Sequence, residues 1–280
     1  MGGFTPIFFR KGDMSEKRLI ISDFDGTLLD SNGDLPPGMA EYLNTKMDAG
    51  HRLTLATGRM LSAAVKPLDG LRLTLPLITL NGCYIGLPEV FHQALDNQLM
   101  CDLYEGVAAL RASVVLMQRD KAYLKGEKYM PVQSLMNWVA NIEFIDTLEL
   151  THCSDTTLVL INGQEDVIRN YHIEAEKVVK GRAGVFSYPS TRYPPMWYLE
   201  IRPKKANKGI AVQKLIEYLE LDEQDVLIIG DYYNDLEMFD HAGLKAAPAN
   251  AVDEIRQRAD YVSPLTNDEG AVKDILERLL

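Results

Sequence analysis

Two aspartates stand one residue apart at the end of an apolar run, Leu19-Ile20-Ile21-Ser22-Asp23-Phe24-Asp25-Gly26-Thr27-Leu28-Leu29. Residues i and i+2 of a strand point to the same face, so the run predicts that Asp23 and Asp25 converge at one strand tip. Carboxylates that close repel each other, and a bound cation relieves the repulsion. Gly26 lets the backbone turn sharply beside whatever binds there. The layout offers a nucleophile, a proton donor and seats for a hard metal in one loop. The same letters also suit an ordinary Asp-Gly turn, so the rest of the chain has to decide.

Three further segments place polar residues directly after an apolar run or at the start of a helix. In Leu53-Thr54-Leu55-Ala56-Thr57-Gly58-Arg59, Thr57 sits where a strand gives way to a helix. A hydroxyl and backbone N–H groups there make an anion site aided by the helix dipole, or Thr57 simply caps the helix. In Pro203-Lys204-Lys205-Ala206-Asn207-Lys208-Gly209, Lys208 at a helix start either aims an ammonium at a phosphate or is one of three solvated lysines. In Val226-Leu227-Ile228-Ile229-Gly230-Asp231-Tyr232-Tyr233-Asn234-Asp235, a buried strand ends in a second carboxylate cluster. A shared divalent cation explains Asp231. An Asx turn or helix cap would account for Asn234 or Asp235 alone. All four signals fall at element ends, in one chain.

The elements that must position them alternate between strand and helix. The first third reads as strand 18–22, helix 36–49, strand 52–56, helix 59–68 and strand 76–80. The last third reads as helix 207–220, strand 225–229, helix 234–241, strand 244–247, helix 251–257, strand 260–263 and helix 269–279. Such alternation predicts an α/β fold with a parallel sheet covered on both faces, its chemistry at the carboxyl ends of the strands. The middle differs: the β-like pairs 112–118 with 121–125, and 184–189 with 196–201, predict an inserted α+β module with antiparallel strands. The expected division is an extension over 1–16, a core over 17–86 and 194–280, and an insertion over 87–193.

Composition narrows the class. The chain has 280 residues, 46% hydrophobic and 25% charged, with a net charge of −11. The acidic balance argues against nucleic acid as a partner and requires a local cationic pocket or a metal if the substrate is an anion. Cys83, Cys101 and Cys153 are dispersed and form no CxxC pair, which suits a reducing, cytoplasmic setting and neither a disulfide framework nor a zinc site. No apolar run is long enough for a membrane span, so no membrane association is expected. His51, His92, His152, His172 and His241 show no ligand spacing. Oligomeric state is not legible.

Taken together, Asp23-Phe24-Asp25-Gly26-Thr27, Ala56-Thr57-Gly58-Arg59, Lys208-Gly209 and Gly230-Asp231-Tyr232-Tyr233-Asn234-Asp235 resemble the four motifs of the haloacid dehalogenase superfamily of phosphohydrolases. The insertion between the second and third motifs is similar to the large α/β cap of its Cof-type, sugar-phosphatase-like subfamily. Asn81-Gly82 and Asn250-Ala251 fit that subfamily, whereas Ala247-Pro248 departs from it, since relatives usually carry Met there with a small or charged residue. The resemblance implies a Rossmann-like core with an inserted cap and a Mg²⁺-dependent phosphatase acting on small phosphorylated metabolites through an aspartyl phosphate. It implies Asp23 as nucleophile, Asp25 as acid and base, and Thr57 and Lys208 as the remaining catalytic groups. Gly58, Arg59, Asn81 and Asn234 become phosphate- or substrate-binding candidates. Metal candidates are Asp23, Asp25 through its backbone carbonyl, Asp231 and Asp235, the last as a ligand or as a support from behind. Arg119, Lys121, Lys125 and Lys128, with Arg192 and Tyr193 near the return hinge, are read as solvated charges and hinge residues, outside the site. A phosphomutase of the same fold and a non-catalytic phosphosugar-binding module are the competing readings.

Overall fold

The computed structural model describes residues 18–126, 138–139, 141–190 and 194–280. The expected extension over 1–16, and Lys128, Arg192 and Tyr193, lie outside the described residues. In chain order the elements are β1 (Leu19–Asp23), α1 (Met39–Asp48), β2 (Arg52–Ala56), α2 (Leu61–Ala64), β3 (Leu77–Thr79), β4 (Tyr84–Gly86) and β5 (Phe91–His92). There follow α3 (Asn97–Ala109), β6 (Ser113–Met117), β7 (Ala122–Lys125), β8 (Ile142–Ile145), β9 (Leu158–Gln164), α4 (Glu165–Val179), β10 (Ala183–Pro189) and β11 (Met196–Pro203). The chain closes with α5 (Lys208–Tyr218), β12 (Val226–Ile229), β13 (Leu244–Ala247), α6 (Asp253–Arg258), β14 (Tyr261–Val262) and α7 (Ala271–Leu279).

The core unit is built on an eight-stranded sheet ordered β14-β13-β12-β1-β2-β3-β4-β5. Strands β14 to β3 run parallel, and β4 and β5 add an antiparallel edge. Every residue of β1 and β12 is buried. Strands covered on both faces read as unbroken apolar runs, which is why Leu19–Ile21 and Val226–Ile229 carry no alternation. β1 is flanked by β12 on one side and β2 on the other, so the chain order reverses at β1 and the carboxyl ends of β1 and β12 open into the usual ligand position of such sheets.

The inserted unit has its own six-stranded sheet, ordered β10-β11-β9-β6-β7-β8, and its own core. Leu99, Leu103 and Val107 of α3 and Ile168, Tyr171 and Ala175 of α4 pack with Val114, Ile161 and Leu199 of the sheet. Asp96 caps α3 by accepting a hydrogen bond from the Leu99 N–H at 2.9 Å. The unit comprises Gln93–Ala206 together with Arg59–Ala63. Its limits therefore differ from the expected 87–193. Residues 87–92 belong with the core sheet, where β5 forms the edge, and β11 pairs with β10 and β9, so 194–206 are not core. Pairing of 184–189 with 196–201 is observed as expected; a boundary at 193 would have cut that hairpin.

Three local expectations change. The helix read over 59–68 is four residues of α2 followed by a 3₁₀ turn at Lys66–Leu68, because Pro67 lacks the N–H needed to continue it. The helix read over 234–241 is two 3₁₀ turns, Tyr233–Asp235 and Met238–His241. The strand read over 76–80 ends at Thr79, and the chain turns over Leu80–Gly82.

Ile228 pairs in register with Ile21 and is fully buried in the core cluster. Ile228→Ala removes that side chain between two covered faces and is expected to cost about 3 kcal/mol of stability. Urea denaturation of the two proteins checks it, and a loss below about 1 kcal/mol would mean that the strand is not packed as described.

Candidate active site

The tips of β1 and β12 and the start of α5 bring four charged side chains together inside the core unit. Lys208 is the first residue of α5, whose N-cap Asn207 accepts a hydrogen bond from the Ile210 N–H at 2.7 Å. Its side chain is almost wholly buried. The ammonium donates to Asp23 Oδ1 and, at 2.6 Å, to Asp235 Oδ1. Asp23, Asp231 and Asp235 are all buried and offer carboxylate oxygens that lie within 4.8 Å of one another. The sequence alternative of a solvated Lys208 is thus excluded by its burial and its two partners.

Local hydrogen bonds fix each carboxylate. The second oxygen of Asp235 accepts from the Asp231 and Tyr232 N–H groups at 3.0 and 3.1 Å. With Lys208 on the other oxygen, both Asp235 oxygens already take donors from the protein, so Asp235 braces the β12 loop from behind. Thr27 donates to Asp231 Oδ1 at 2.7 Å. Gly26 lies against the same carboxylate: its φ is +87°, and a Cβ there would stand 2.5 Å from Asp231 Oδ2. Both the backbone angle and the space require glycine. Asn250 donates to the Gly26 carbonyl at 2.8 Å and accepts from the Asn267 N–H at 2.9 Å, while Asn267 donates to the Leu29 carbonyl at 2.8 Å. Residues 26–29 are thus clamped by the segment that follows β13.

Asp25 is placed differently from the strand-tip expectation. β1 ends at Asp23, and Asp25 is half-buried in the loop beyond, bridged to Leu29, with its carboxylate outside the three-carboxylate group. Thr57 is buried at the tip of β2, where its N–H donates to the Ile78 carbonyl at 2.9 Å and its carbonyl accepts from the Asn81 N–H at 3.1 Å. Gly58 follows in the core unit, but Arg59 groups with the inserted unit, where it is buried. Asn81 and Asn234 meet, the Asn234 amide donating to Asn81 Oδ1 at 3.1 Å. Thr27, Asn250 and Asn267 carry the support that site reasoning from sequence passed over. Thr27 was visible in the first motif and Asn250 in a subfamily motif, but their partners lie 204 and 224 residues away.

The candidates read as solvated or structural are engaged elsewhere. Lys121 pairs with Glu143 at 2.6 Å and Arg119 with Asp120 at 3.0 Å, both on exposed side chains. Lys125 donates to the Ala108 and Leu110 carbonyls at the end of α3. His241 meets Glu223 at 2.7 Å and His172 meets Ser187 at 2.8 Å.

The electrostatics follow from burial. Loss of water first, then the Asp235 charge, pushes Asp23 up to about 7, against the pull of Lys208. Burial, then Asp23 and Asp235, hold Asp231 well above the carboxylate range. Burial opposes the charge on Lys208, but Asp23 and Asp235 more than offset it, and its pKa lies above the usual lysine value. Burial is the main cause of both shifts, and three carboxylates sharing one ammonium add to it.

A family model described as haloacid dehalogenase-like hydrolase matches residues 20–276. The chain belongs to this family of hydrolases, and is a phosphatase of its Cof type. It is similar to the 5-amino-6-(5-phospho-D-ribitylamino)uracil phosphatase YitU of Bacillus subtilis, 25% identical over 92% of this chain and 96% of that one. The phosphoglycolate phosphatase of Methanothermobacter thermautotrophicus is 24% identical over 92% of this chain and 97% of that one. A crystal structure of a haloacid dehalogenase-like hydrolase from Bacteroides thetaiotaomicron superposes with a TM-score of 0.83 at 27% identity, over 95% of this chain and all of that one.

Two outcomes follow from the charge arrangement. Asp23 and Asp231 have raised pKa values in the folded chain, so their protonated forms contribute stability that is complete below about pH 4; the Asp23 part is lost as pH rises through about 7, and the Asp231 part as pH rises through its own raised value. A divalent cation held by these carboxylates would replace those protons. Saturating Mg²⁺ is therefore expected to raise the thermal midpoint more at pH 8 than at pH 5.5; equal shifts would contradict the site. Thr27→Val keeps the shape but frees the Asp231 carboxylate, and calorimetric titration should show Mg²⁺ affinity falling about tenfold. Unchanged affinity would remove Thr27 from the site.

Proposed function

We propose that this chain is a Mg²⁺-dependent phosphatase that hydrolyses small phosphorylated metabolites, sugar phosphates or similar esters, through an aspartyl phosphate. The observation that carries the reading is the buried Lys208 held between Asp23 and Asp235 beside Asp231. The relatives whose names specify a substrate act on phosphate monoesters of small molecules.

The donor set suits the ion: hard carboxylate oxygens, buried, with negative charge in excess. Asp23, the Asp25 backbone carbonyl and Asp231 would hold Mg²⁺, which supplies positive charge to the phosphoryl oxygens when bound. Lys208 fixes Asp23 Oδ1, which leaves Oδ2 to attack phosphorus in line and form the acyl phosphate. Asp25, half-buried and just past the strand tip, protonates the departing oxygen. It then takes a proton from the water that cleaves the intermediate, and the carboxylate of Asp23 is regenerated. Thr57, the Gly58 amide and Asn234 bind the transferring phosphoryl oxygens, and Lys208 offsets their charge. Asp235 keeps Lys208 and the β12 loop in place. The described residues include no helix long and apolar enough to cross a membrane, and their three cysteines are free, which supports a cytoplasmic setting.

The test is phosphate release from a panel of phosphorylated metabolites with Mg²⁺ present. Asp23→Asn replaces the nucleophile by an amide and should lower turnover by ~10⁴-fold or more. Asp25→Ala should lose turnover to a similar extent while Mg²⁺ binding, followed by calorimetry, persists. Wild-type rates in the Asp23 variant would exclude the covalent route.

A further inference from the structure

The turn after β3 has a backbone that its side chains do not favour. Leu80, Asn81 and Gly82 have φ values of +52°, +51° and +89°, three consecutive residues in the left-handed region. Such a conformation costs each non-glycine residue on the order of 1 kcal/mol or more, and it persists only where the surroundings enforce it. Asparagine tolerates it better than leucine does. The surroundings here are the elements of the site. The Asn81 N–H donates to the Thr57 carbonyl at 3.1 Å. A Cβ on Gly82 would stand 2.1 Å from the Asn207 carbonyl oxygen, at the first turn of the helix that carries Lys208. The Asn81 side chain is buried and its Oδ1 accepts from Asn234 at 3.1 Å. One short turn thus touches the loops bearing Thr57, Lys208 and Asn234.

We infer that Asn81 is a positioning residue that aims the Asn234 amide at the phosphoryl group, and that the left-handed turn exists to deliver it. This rests on the phosphatase reading above and changes the role of Asn81 from a substrate contact to a support for one. The amide nitrogen of Asn234 carries two N–H groups. Donating one to Asn81 fixes the plane of the amide and therefore the direction of the other. Without Asn81, the half-buried Asn234 side chain rotates and the second N–H is no longer pre-aimed. The backbone bond to Thr57 couples the same turn to the β2 loop, so the two anion-binding loops are set relative to each other by residues that need not touch the substrate.

The experiment is a double-mutant cycle with inorganic phosphate and p-nitrophenyl phosphate as probes, in the full chain with Mg²⁺. Asn81→Gly removes the amide but accepts the left-handed backbone, so the thermal midpoint should stay close to that of the wild type. Asn81→Ala removes the same amide and adds backbone strain, so its midpoint should be lower. Both variants should weaken phosphate binding and raise KM about five- to tenfold, with kcat changing less. Asn234→Ala should do the same. The combined Asn81→Gly, Asn234→Ala protein should bind phosphate within twofold of Asn234→Ala alone, because Asn81 acts through Asn234. If the glycine variant does not fold, Asn81→Ser, with a hydroxyl too short to reach, carries the same comparison. Losses that multiply in the double variant, or an Asn81→Gly protein with wild-type phosphate affinity, would overturn the inference while leaving the phosphatase intact. A wild-type chain that neither binds phosphate nor hydrolyses the ester would overturn both.

Discussion

An ammonium group with almost no access to water sits between two carboxylates at the head of a parallel sheet, and a third carboxylate stands beside them. Burying charge is expensive unless it is paired and hydrogen-bonded, and hydrophobic residues of similar size would commonly serve stability as well or better. Lys208, Asp23 and Asp235 satisfy one another, but Asp231 leaves the group short of positive charge. That shortfall is the property on which the site depends. On the proposed reading it prepares the tips of β1 and β12 for a cation and, through it, for an anionic substrate that the overall charge of −11 would otherwise repel.

The fold delivers this group from segments 185 residues apart. β1 and β12 are hydrogen-bonded neighbours whose pairing Ser22↔Ile229 brings their carboxyl ends level. Everything beyond that register is done by small residues and side-chain amides. Gly26 lets the β1 loop pass against Asp231, and Thr27 holds that carboxylate. Asn250 and Asn267 tie the same loop to the segment after β13. Such a shell limits the motion of the charged groups, which is what electrostatic catalysis of phosphoryl transfer requires.

Much of this was legible in the chain. Strands buried on both faces announce themselves as apolar runs, and β1, β2 and β12 fall where those runs end in Asp, Thr or Gly. The motif residues Asp23, Lys208, Asp231 and Asp235 do meet. What was not legible depends on tertiary partners. Asp235 reads as a metal ligand or as a support from behind, and the sequence could not show that Lys208 and two backbone N–H groups engage its oxygens. Arg59 follows Thr57-Gly58 in sequence yet groups with the inserted unit. The expected pairing of 184–189 with 196–201 already argued against a boundary at 193, but the end of the unit at Ala206 needed the pairing of β11 with β9 and β10, which runs on to Pro203. The left-handed turn at Leu80–Gly82 has no signal beyond Asn-Gly, since nothing in a leucine announces a positive φ.

We propose that one divalent cation belongs at the meeting point of Asp23 and Asp231. The most direct measurement is a crystal grown with Mn²⁺ and read by anomalous scattering. A single strong peak is expected in direct contact with the carboxylates of both residues, with Lys208 still bridging Asp23 and Asp235. A peak elsewhere, or a well-ordered site with Mn²⁺ in excess and no peak between those two side chains, would contradict it.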